Sequence, residues 1–335
     1  MNEKPRIAVV GAGAIGSLLA AIWVRAEEDV TLVVREERVA GLRASGITAS
    51  GLGGDFHVTP KIASAIPHGT EFAVFTMKTQ DLAEALRASK AALGNATVVT
   101  TQNGVRAREI VQAELGVEPI TATLMLNASM LEPGAVRYNR IGTTVLGAVP
   151  KERRRELAEM DVLFELVSPV FDTEQIEGAM WSKLVINALT NSLQALTGKS
   201  LNECVNDPAI ATFAVAQLKE SFGVVRAARI PLIDMPGAPM KLFSTMMRLP
   251  GFIAKAILRK NLGRADEANT LTSTLQSILR KQPTEIDYLN GEFVRLGEKI
   301  NFPTPVNRAI VEAVRKIEKT GVFLTRDEIA GMVQK

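Results

Sequence analysis

Short apolar runs alternate with polar, helix-spaced segments through the first half of the chain, and the second half is helical in period almost throughout. Ile7-Ala8-Val9-Val10, Val30 to Val34, Phe72 to Met77, Thr97 to Thr101 and Thr121 to Leu126 have the length and β-branched content of buried strands. Ala135 to Val149 reads as further strand, with Pro133-Gly134 turning the chain before it. Residues 41–70 hold glycines, alternating stretches and two prolines, and predict peripheral strands and loops. Glu152 to Phe164 has charged helical spacing and closes this half, so a boundary is expected at 171/172. Beyond it the period predicts helices over 181–191, 208–228, 276–296 and 305–318.

The first run passes directly into Gly11-Ala12-Gly13-Ala14-Ile15-Gly16 and then the helix-spaced Leu18 to Trp23. Strand, GxGxxG and helix in immediate succession is the context a dinucleotide site requires. Gly11 permits the tight turn, Gly13 lets backbone approach a pyrophosphate, and Gly16 lets helix and strand pack closely. The N–H groups over Gly11 to Gly16 are the donors for the phosphates. The expected fold class is therefore α/β: an N-terminal Rossmann-type dinucleotide-binding domain over 1–171, then an all-helical C-terminal domain over 172–335. The second run ends at Arg35, where an NAD site usually carries an acid; a guanidinium offers bidentate contact to a 2′-phosphate and points to NADP. Glu36 and Glu37 follow at once and leave an NAD-like contact open. Lys78 and Asn103 follow the third and fourth runs, on the side where open α/β sheets bind ligands. A solvated lysine and an Asn-Gly turn explain them equally well.

In the second half, Lys183, Asn187 and Asn191 fall at i, i+4 and i+8, on one face of a helix otherwise covered by Leu184, Val185, Ile186, Ala188 and Leu189. A helix apolar on most sides is buried, so this polar line needs buried partners or a polar cleft.

Composition narrows the function classes. Net charge is +3, from 39 basic and 36 acidic residues interleaved along 335, which leaves no basic footprint for nucleic acid. Cys204 is the single cysteine, which excludes an intrachain disulfide framework and fits a reducing cytosol. His57 and His68 are the only histidines and lack partners in sequence, so a histidine-based mechanism and a metal site are both unsupported. Met1 to Arg6 run straight into a strand without a separate leader, and no apolar run reaches the roughly 20 residues of a membrane span. The expectation is a soluble, cytoplasmic protein. Met240 to Arg264 is basic and amphipathic, and Pro250-Gly251 breaks it in two. That predicts a helical hairpin packed on the protein or on the mate in a homodimer, rather than on a membrane.

The GxGxxG, Lys78, Asn103 and the Lys-x3-Asn-x3-Asn helix together resemble the ketopantoate reductase family. Thr284-Glu285-Ile286-Asp287-Tyr288-Leu289-Asn290-Gly291 is similar to that family's Thr-Glu-Ile-Asp-x-x-Asn-Gly signature, and Asn301 to Asn307 resembles its loop-to-helix step near the end. The resemblance implies NADPH-dependent reduction of a 2-oxo acid, 2-dehydropantoate, to (R)-pantoate on the way to pantothenate and coenzyme A. By the same resemblance Lys183 is the general acid, Glu285 helps bind substrate and tunes the lysine, and Asn187, Asn191 and Ser273 hold the substrate. It also makes Asn103 a bridge between nicotinamide and substrate, Lys78 a group near cofactor and active site, and Arg35 the contact at the 2′-phosphate. One departure is the stretch from Ile230 to Ala268, longer than in compact members and expected beside the substrate cleft near Ser273. It keeps open another branched 2-oxo acid or a β-hydroxyacid dehydrogenase relative. A protein that binds NADPH without turnover is the alternative from a different class.

Overall fold

The computed structural model describes residues 4–147, 154–262 and 271–333. The chain divides between Ile176 and Glu177 into two compact units. In the first, β1 (Arg6–Val10), α1 (Ala14–Arg25), β2 (Asp29–Val33), α2 (Glu36–Ser45), β3 (Ile47–Gly51), β4 (Phe56–Val58), β5 (Lys61–Ala63) and β6 (Phe72–Phe75) follow in order. Then come α3 (Thr79–Leu93), β7 (Thr97–Thr100), α4 (Ala107–Leu115), β8 (Ile120–Leu124), β9 (Asn127–Glu132), β10 (Ala135–Arg140), β11 (Thr144–Gly147), α5 (Arg154–Glu165) and β12 (Val170–Thr173).

Eight strands form one sheet in the order β12-β11-β8-β7-β6-β1-β2-β5, parallel at each pairing except β11 with β8. β1 is followed in sequence by β2 on one side and bonded to β6 on the other, so the strand order reverses at β1 and opens a crevice beyond its carboxyl end. Alternation explains the apolar run: Ile7 and Val9 join one core cluster while Ala8 and Val10 join the other.

α1 is apolar nearly all round because it lies between two layers. It packs on β1 and β2 of the large sheet and on β3, β9 and β10 of a second sheet ordered β4-β3-β10-β9. Trp23 is fully buried there, donating its Nε1–H to the Leu163 carbonyl at 2.6 Å and meeting Phe164 edge-on at 5.5 Å. Truncating such a tryptophan to alanine costs about 3–5 kcal/mol.

Two expectations need correcting in this unit. Residues 135–149 do not form one strand region: β10 and β11 belong to different sheets, and the chain crosses between them at Gly142, where a Cβ would lie 2.3 Å from the Met125 carbonyl oxygen. Positions 148 and 149 lie outside the described residues. The division also falls after Ile176 rather than at 171/172, since β12 pairs with β11 and keeps residues 170–173 with the sheet.

The second unit is helical: α6 (Ile176–Thr197), α7 (Leu201–Asn206), α8 (Pro208–Ala227), α9 (Met240–Met246), α10 (Gly251–Leu262) and α11 (Ser273–Leu279). A 3-10 turn (Ile286–Tyr288) leads to α12 (Asn290–Ile300), α13 (Pro305–Thr320) and α14 (Arg326–Gly331). The helix expected over 276–296 is in fact α11 and α12. Pro283 cannot donate to a continuing helix, and the chain leaves α11 with Lys281 at φ +55. α9 and α10 form the expected broken pair, and α10 packs on α7 and α8. Arg259 donates to the Val205 carbonyl at 3.2 Å and Lys255 to Thr212 Oγ1 at 3.3 Å, while Phe243 meets Phe222 edge-on. Residues 263–268 of the long stretch lie outside the described residues. No helix among the described residues is long and apolar enough to cross a membrane.

Candidate active site

The glycine loop divides its labour as the chemistry requires. Gly11 sits at φ +108, a conformation that favours glycine, and its N–H bonds the Val33 carbonyl at 2.9 Å. A Cβ on Gly16 would lie 1.9 Å from the Gly11 oxygen and 2.4 Å from Thr76 Oγ1, so this glycine is demanded by the protein itself. The Thr76 hydroxyl donates to the carbonyls of Val10 and Gly11, at 3.0 and 2.9 Å, and ties the loop to the end of β6. Gly13 is different. Its backbone is ordinary (φ −80, ψ −175), and a Cβ there would meet no atom within 4 Å. It is also the N-cap of α1, with no side chain capping the helix. Open space before the first N–H groups of a helix is what a bound pyrophosphate needs, so the loop from Gly11 to Gly16 fits a dinucleotide: Gly11 and Ala12 make the turn, and Gly13, Ala14, Ile15 and Gly16 lie at the start of α1.

Arg35 is exposed at the carboxyl end of β2 and precedes α2 as its N-cap; its side chain has no ion pair or hydrogen bond among the described residues. Glu36 and Glu37 occupy the first turn of α2, where carboxylates suit the helix dipole, which accounts for them without a ligand. Lys78 is the half-buried N-cap of α3. Thr79 beside it donates to the Asn103 carbonyl at 3.1 Å, so the ends of β6 and β7 bring Lys78 and Asn103 to one edge of the unit. Gln102 reinforces that junction by donating Nε2–H to the carbonyls of Phe75 and Met77, at 2.9 and 3.1 Å.

In the second unit, the polar line of α6 splits into two halves with different work. Lys183 is half-buried; burial pulls its ammonium from 10.5 down to about 8, and the Glu285 charge opposes that pull. Glu285 stands at the start of the 3-10 turn, itself held by Thr284, whose N–H bonds Glu318 Oε1 at 2.8 Å. Asn191 is 2% exposed and has every hydrogen-bonding position used. Its Oδ1 accepts from the Thr274 N–H at 3.1 Å and the Ser273 hydroxyl at 3.2 Å. Its Nδ2 donates to Asn187 O at 2.9 Å and Asn187 Oδ1 at 2.8 Å. Bonded in this way, Asn191 ties α6 to the start of α11 and orients Asn187. A backbone N–H can only donate, so Thr274 fixes which way the Asn191 amide points. That amide in turn makes Asn187 Oδ1 the acceptor and leaves the half-buried Asn187 with Nδ2–H donors to offer.

Gln194, one turn on, accepts from the Thr272 N–H at 2.7 Å. Thr272 makes no side-chain cap of its own, so α6 caps α11 from a distance through Asn191 and Gln194. Ser273 is exposed at the first position of α11.

The model of the family described as "Ketopantoate reductase PanE/ApbA" matches residues 7–151, and that of its C-terminal domain matches residues 175–318. The chain belongs to the ketopantoate reductase family. A 2-dehydropantoate 2-reductase of Pyrococcus horikoshii is 27% identical over 318 residues, covering 94% of this chain and 98% of that one. The crystal structure of a PanE/ApbA family ketopantoate reductase from Ralstonia eutropha superposes with a TM-score of 0.80 at 28% identity, covering 94% and 99% of the two chains. A D-mandelate dehydrogenase with NADH and anilino(oxo)acetate reaches the same TM-score at 19% identity and the same coverage, a likeness of fold.

Several residues that shape this ketopantoate reductase fold had no signal in the sequence. Thr76, Gln102 and Gln194 are ordinary polar residues until the fold shows what they join. Glu220 of α8 accepts from the N–H groups of Val306 and Asn307, at 2.8 and 2.7 Å, and so caps α13. Asn307 also donates to Glu220 and accepts from Asn290, the asparagine of the Thr-Glu-Ile-Asp segment, at 2.8 and 2.9 Å. The two later family motifs are thus joined by a buried hydrogen bond between Asn290 and Asn307. His57 and His68 are exposed, and no group of His, Cys, Asp and Glu among the described residues could hold a metal.

Proposed function

We propose that the protein reduces 2-dehydropantoate to (R)-pantoate with NADPH, a step towards pantothenate and coenzyme A. The observation that carries this reading is Lys183: burial brings its ammonium down to about 8, so it holds a proton near neutral pH and releases it readily. Bound NADPH supplies the hydride that becomes the new C–H bond at C2. Lys183 Nζ donates a hydrogen bond to the C2 carbonyl oxygen and passes its proton to that oxygen as negative charge develops. Glu285 keeps the ammonium charged until then. Asn187 Nδ2 donates to the hydroxyl or carboxylate of the substrate, with Ser273 beside it. In the first unit, Gly11 to Gly16 hold the pyrophosphate, Arg35 reads the 2′-phosphate, and Lys78 and Asn103 border the nicotinamide end.

A second reading has one specific support. Glu36 and Glu37 are exposed next to Arg35, and the mandelate dehydrogenase of like fold carries NADH. In that reading the protein reduces another 2-oxo acid with NADH. The test is steady-state oxidation of NADPH and of NADH with ketopantoate, 2-oxoisovalerate, pyruvate, hydroxypyruvate and phenylglyoxylate. Preference for ketopantoate with NADPH is expected, and turnover confined to NADH or to another acid overturns the proposal. Arg35→Asp should weaken NADPH at least about tenfold more than NADH; an equal loss removes Arg35 from recognition of the phosphate.

A further inference from the structure

The groove between α8 and α9 is lined by Lys219, Phe222, Arg226, Ser244, Met247 and Arg248, around a cavity of about 250 Å³. Phe222 and Met247 are buried and form an apolar floor, while Lys219, Arg226 and Arg248 are exposed around them. Residues 219, 222 and 226 fall on one face of α8 by helical spacing. No carboxylate lines the groove. The acid nearest in sequence, Glu220, is committed to the N-terminus of α13, and Asp234 accepts from the Lys241 N–H at 2.8 Å. The sequence makes the imbalance general: residues 235–262 contain five basic and no acidic side chains, which leaves the rest of the +3 chain at −2.

We infer that this groove is a binding site for a phosphate group, separate from the glycine loop and from Lys183. Two guanidiniums and an ammonium line it, from α8 and from the turn after α9, and the Ser244 hydroxyl adds a neutral donor. Guanidinium forks bind phosphate oxygens bidentately, and a tetrahedral anion can be met from several sides at once. Exposed cations are screened, so a singly charged ion gains little here and a multiply charged one is selected. The volume is about eight times a water's ~30 Å³ share and falls below the ~300 Å³ of drug-sized sites. It therefore has room for a phosphate or diphosphate group. The same chemistry is offered by a lipid headgroup. Leu249 and Phe252, 40% and 72% exposed at the bend between α9 and α10, are apolar neighbours for acyl chains.

The full-length protein should be titrated calorimetrically with inorganic phosphate and with pyrophosphate at matched ionic strength, and floated with vesicles containing phosphatidylglycerol. Arg226→Glu and Arg248→Glu should each weaken vesicle and inorganic phosphate binding at least about tenfold, and the double variant should remove one class of pyrophosphate site from the titration. Arg226→Gln keeps the result readable if a charge reversal disturbs packing. Binding of free anions alone identifies a soluble phosphate as the source, and binding to vesicles alone identifies a headgroup. No binding of either kind by the wild-type protein overturns the inference. So does binding whose affinity and stoichiometry the double variant leaves unchanged, because it then belongs wholly to the intact glycine loop.

Discussion

Two alanine substitutions three residues apart should separate folding from cofactor binding. In Gly16→Ala the new methyl meets the Gly11 carbonyl oxygen at 1.9 Å and Thr76 Oγ1 at 2.4 Å. Non-bonded carbon is comfortable at about 3.5 Å, so either the loop or α1 must move by more than ~1 Å. Neither is free to do so: Gly11 is bonded to Val33 and Thr76, and α1 is packed between two sheets. We expect a cost at the top of the overpacking range, about 3 kcal/mol or more. The stiffer unfolded chain returns about 0.4–1 kcal/mol. A net loss of at least ~2 kcal/mol lowers Tm by roughly 4–8 °C for a domain of this size. In Gly13→Ala the methyl meets nothing, and the backbone is one that alanine adopts. Loss of a glycine N-cap and gain in chain stiffness nearly cancel, so stability should stay within about 1 kcal/mol. The methyl instead stands where the proposed function seats the pyrophosphate, and should weaken NADPH at least about tenfold. Differential scanning calorimetry of the free protein and titration with NADPH read the two effects independently. A Gly16→Ala protein with unchanged Tm refutes the steric reasoning, and a Gly13→Ala protein with unchanged NADPH affinity refutes the assigned phosphate site.

The remaining predictions concern proton and hydrogen-bond chemistry. Lys183→Ala should lower kcat at least about a hundredfold while NADPH binding survives. Because the Lys183 ammonium titrates at about 8, kcat for reduction should fall as pH rises through that value. Glu285 opposes the downward pull, so Glu285→Gln should move the falling limb to lower pH, and an unmoved limb argues against their coupling. Asn191→Ala leaves the buried Thr274 N–H unpaired and the cap of α11 to Gln194 alone, at a cost of about 1–3 kcal/mol in thermal unfolding. Asn191→Asp keeps that acceptor but removes the donors to Asn187, so KM should rise with a smaller loss of stability. Asp161 is raised from 3.8 to about 7 by burial, then by the hydrogen bond and charge of Asp172 and the charge of Glu165. Between those values the folded state holds a proton that the unfolded state has lost, so stability falls as pH rises across the window. Asp161→Asn should therefore raise Tm above pH 7 and leave it unchanged below pH 4.

Most of the sheet was legible because its strands are buried on both faces, which leaves a continuous apolar run at β1, β2, β6, β7 and β8. The glycine loop was legible because its spacing is set by sterics that act locally, at Gly11 and Gly16. α2 escaped notice because it buries only Val39 and Leu42, too little to impose a period. The crossing at Gly142 and the break at Pro283 depend on which sheet or helix receives the next segment, and no local pattern carries that. Within the site, Lys183, Asn187 and Asn191 share a face as their spacing predicts, yet spacing cannot say which partner each one meets. Asn191 and Asn187 are the same residue type one turn apart. One is consumed by a helix terminus 83 positions further along the chain, and the other is left with donors to spare.

That long-range link has a consequence for how such an enzyme can diverge. The chemical sign of the group Asn187 offers, donor rather than acceptor, is inherited from a main-chain amide at the start of α11 and relayed through one intervening carboxamide. A shift in where α11 begins would invert the message without altering any side chain that touches a ligand. New substrate preferences could then arise from changes in the segment leading into α11 that a comparison of ligand-contacting residues alone would overlook.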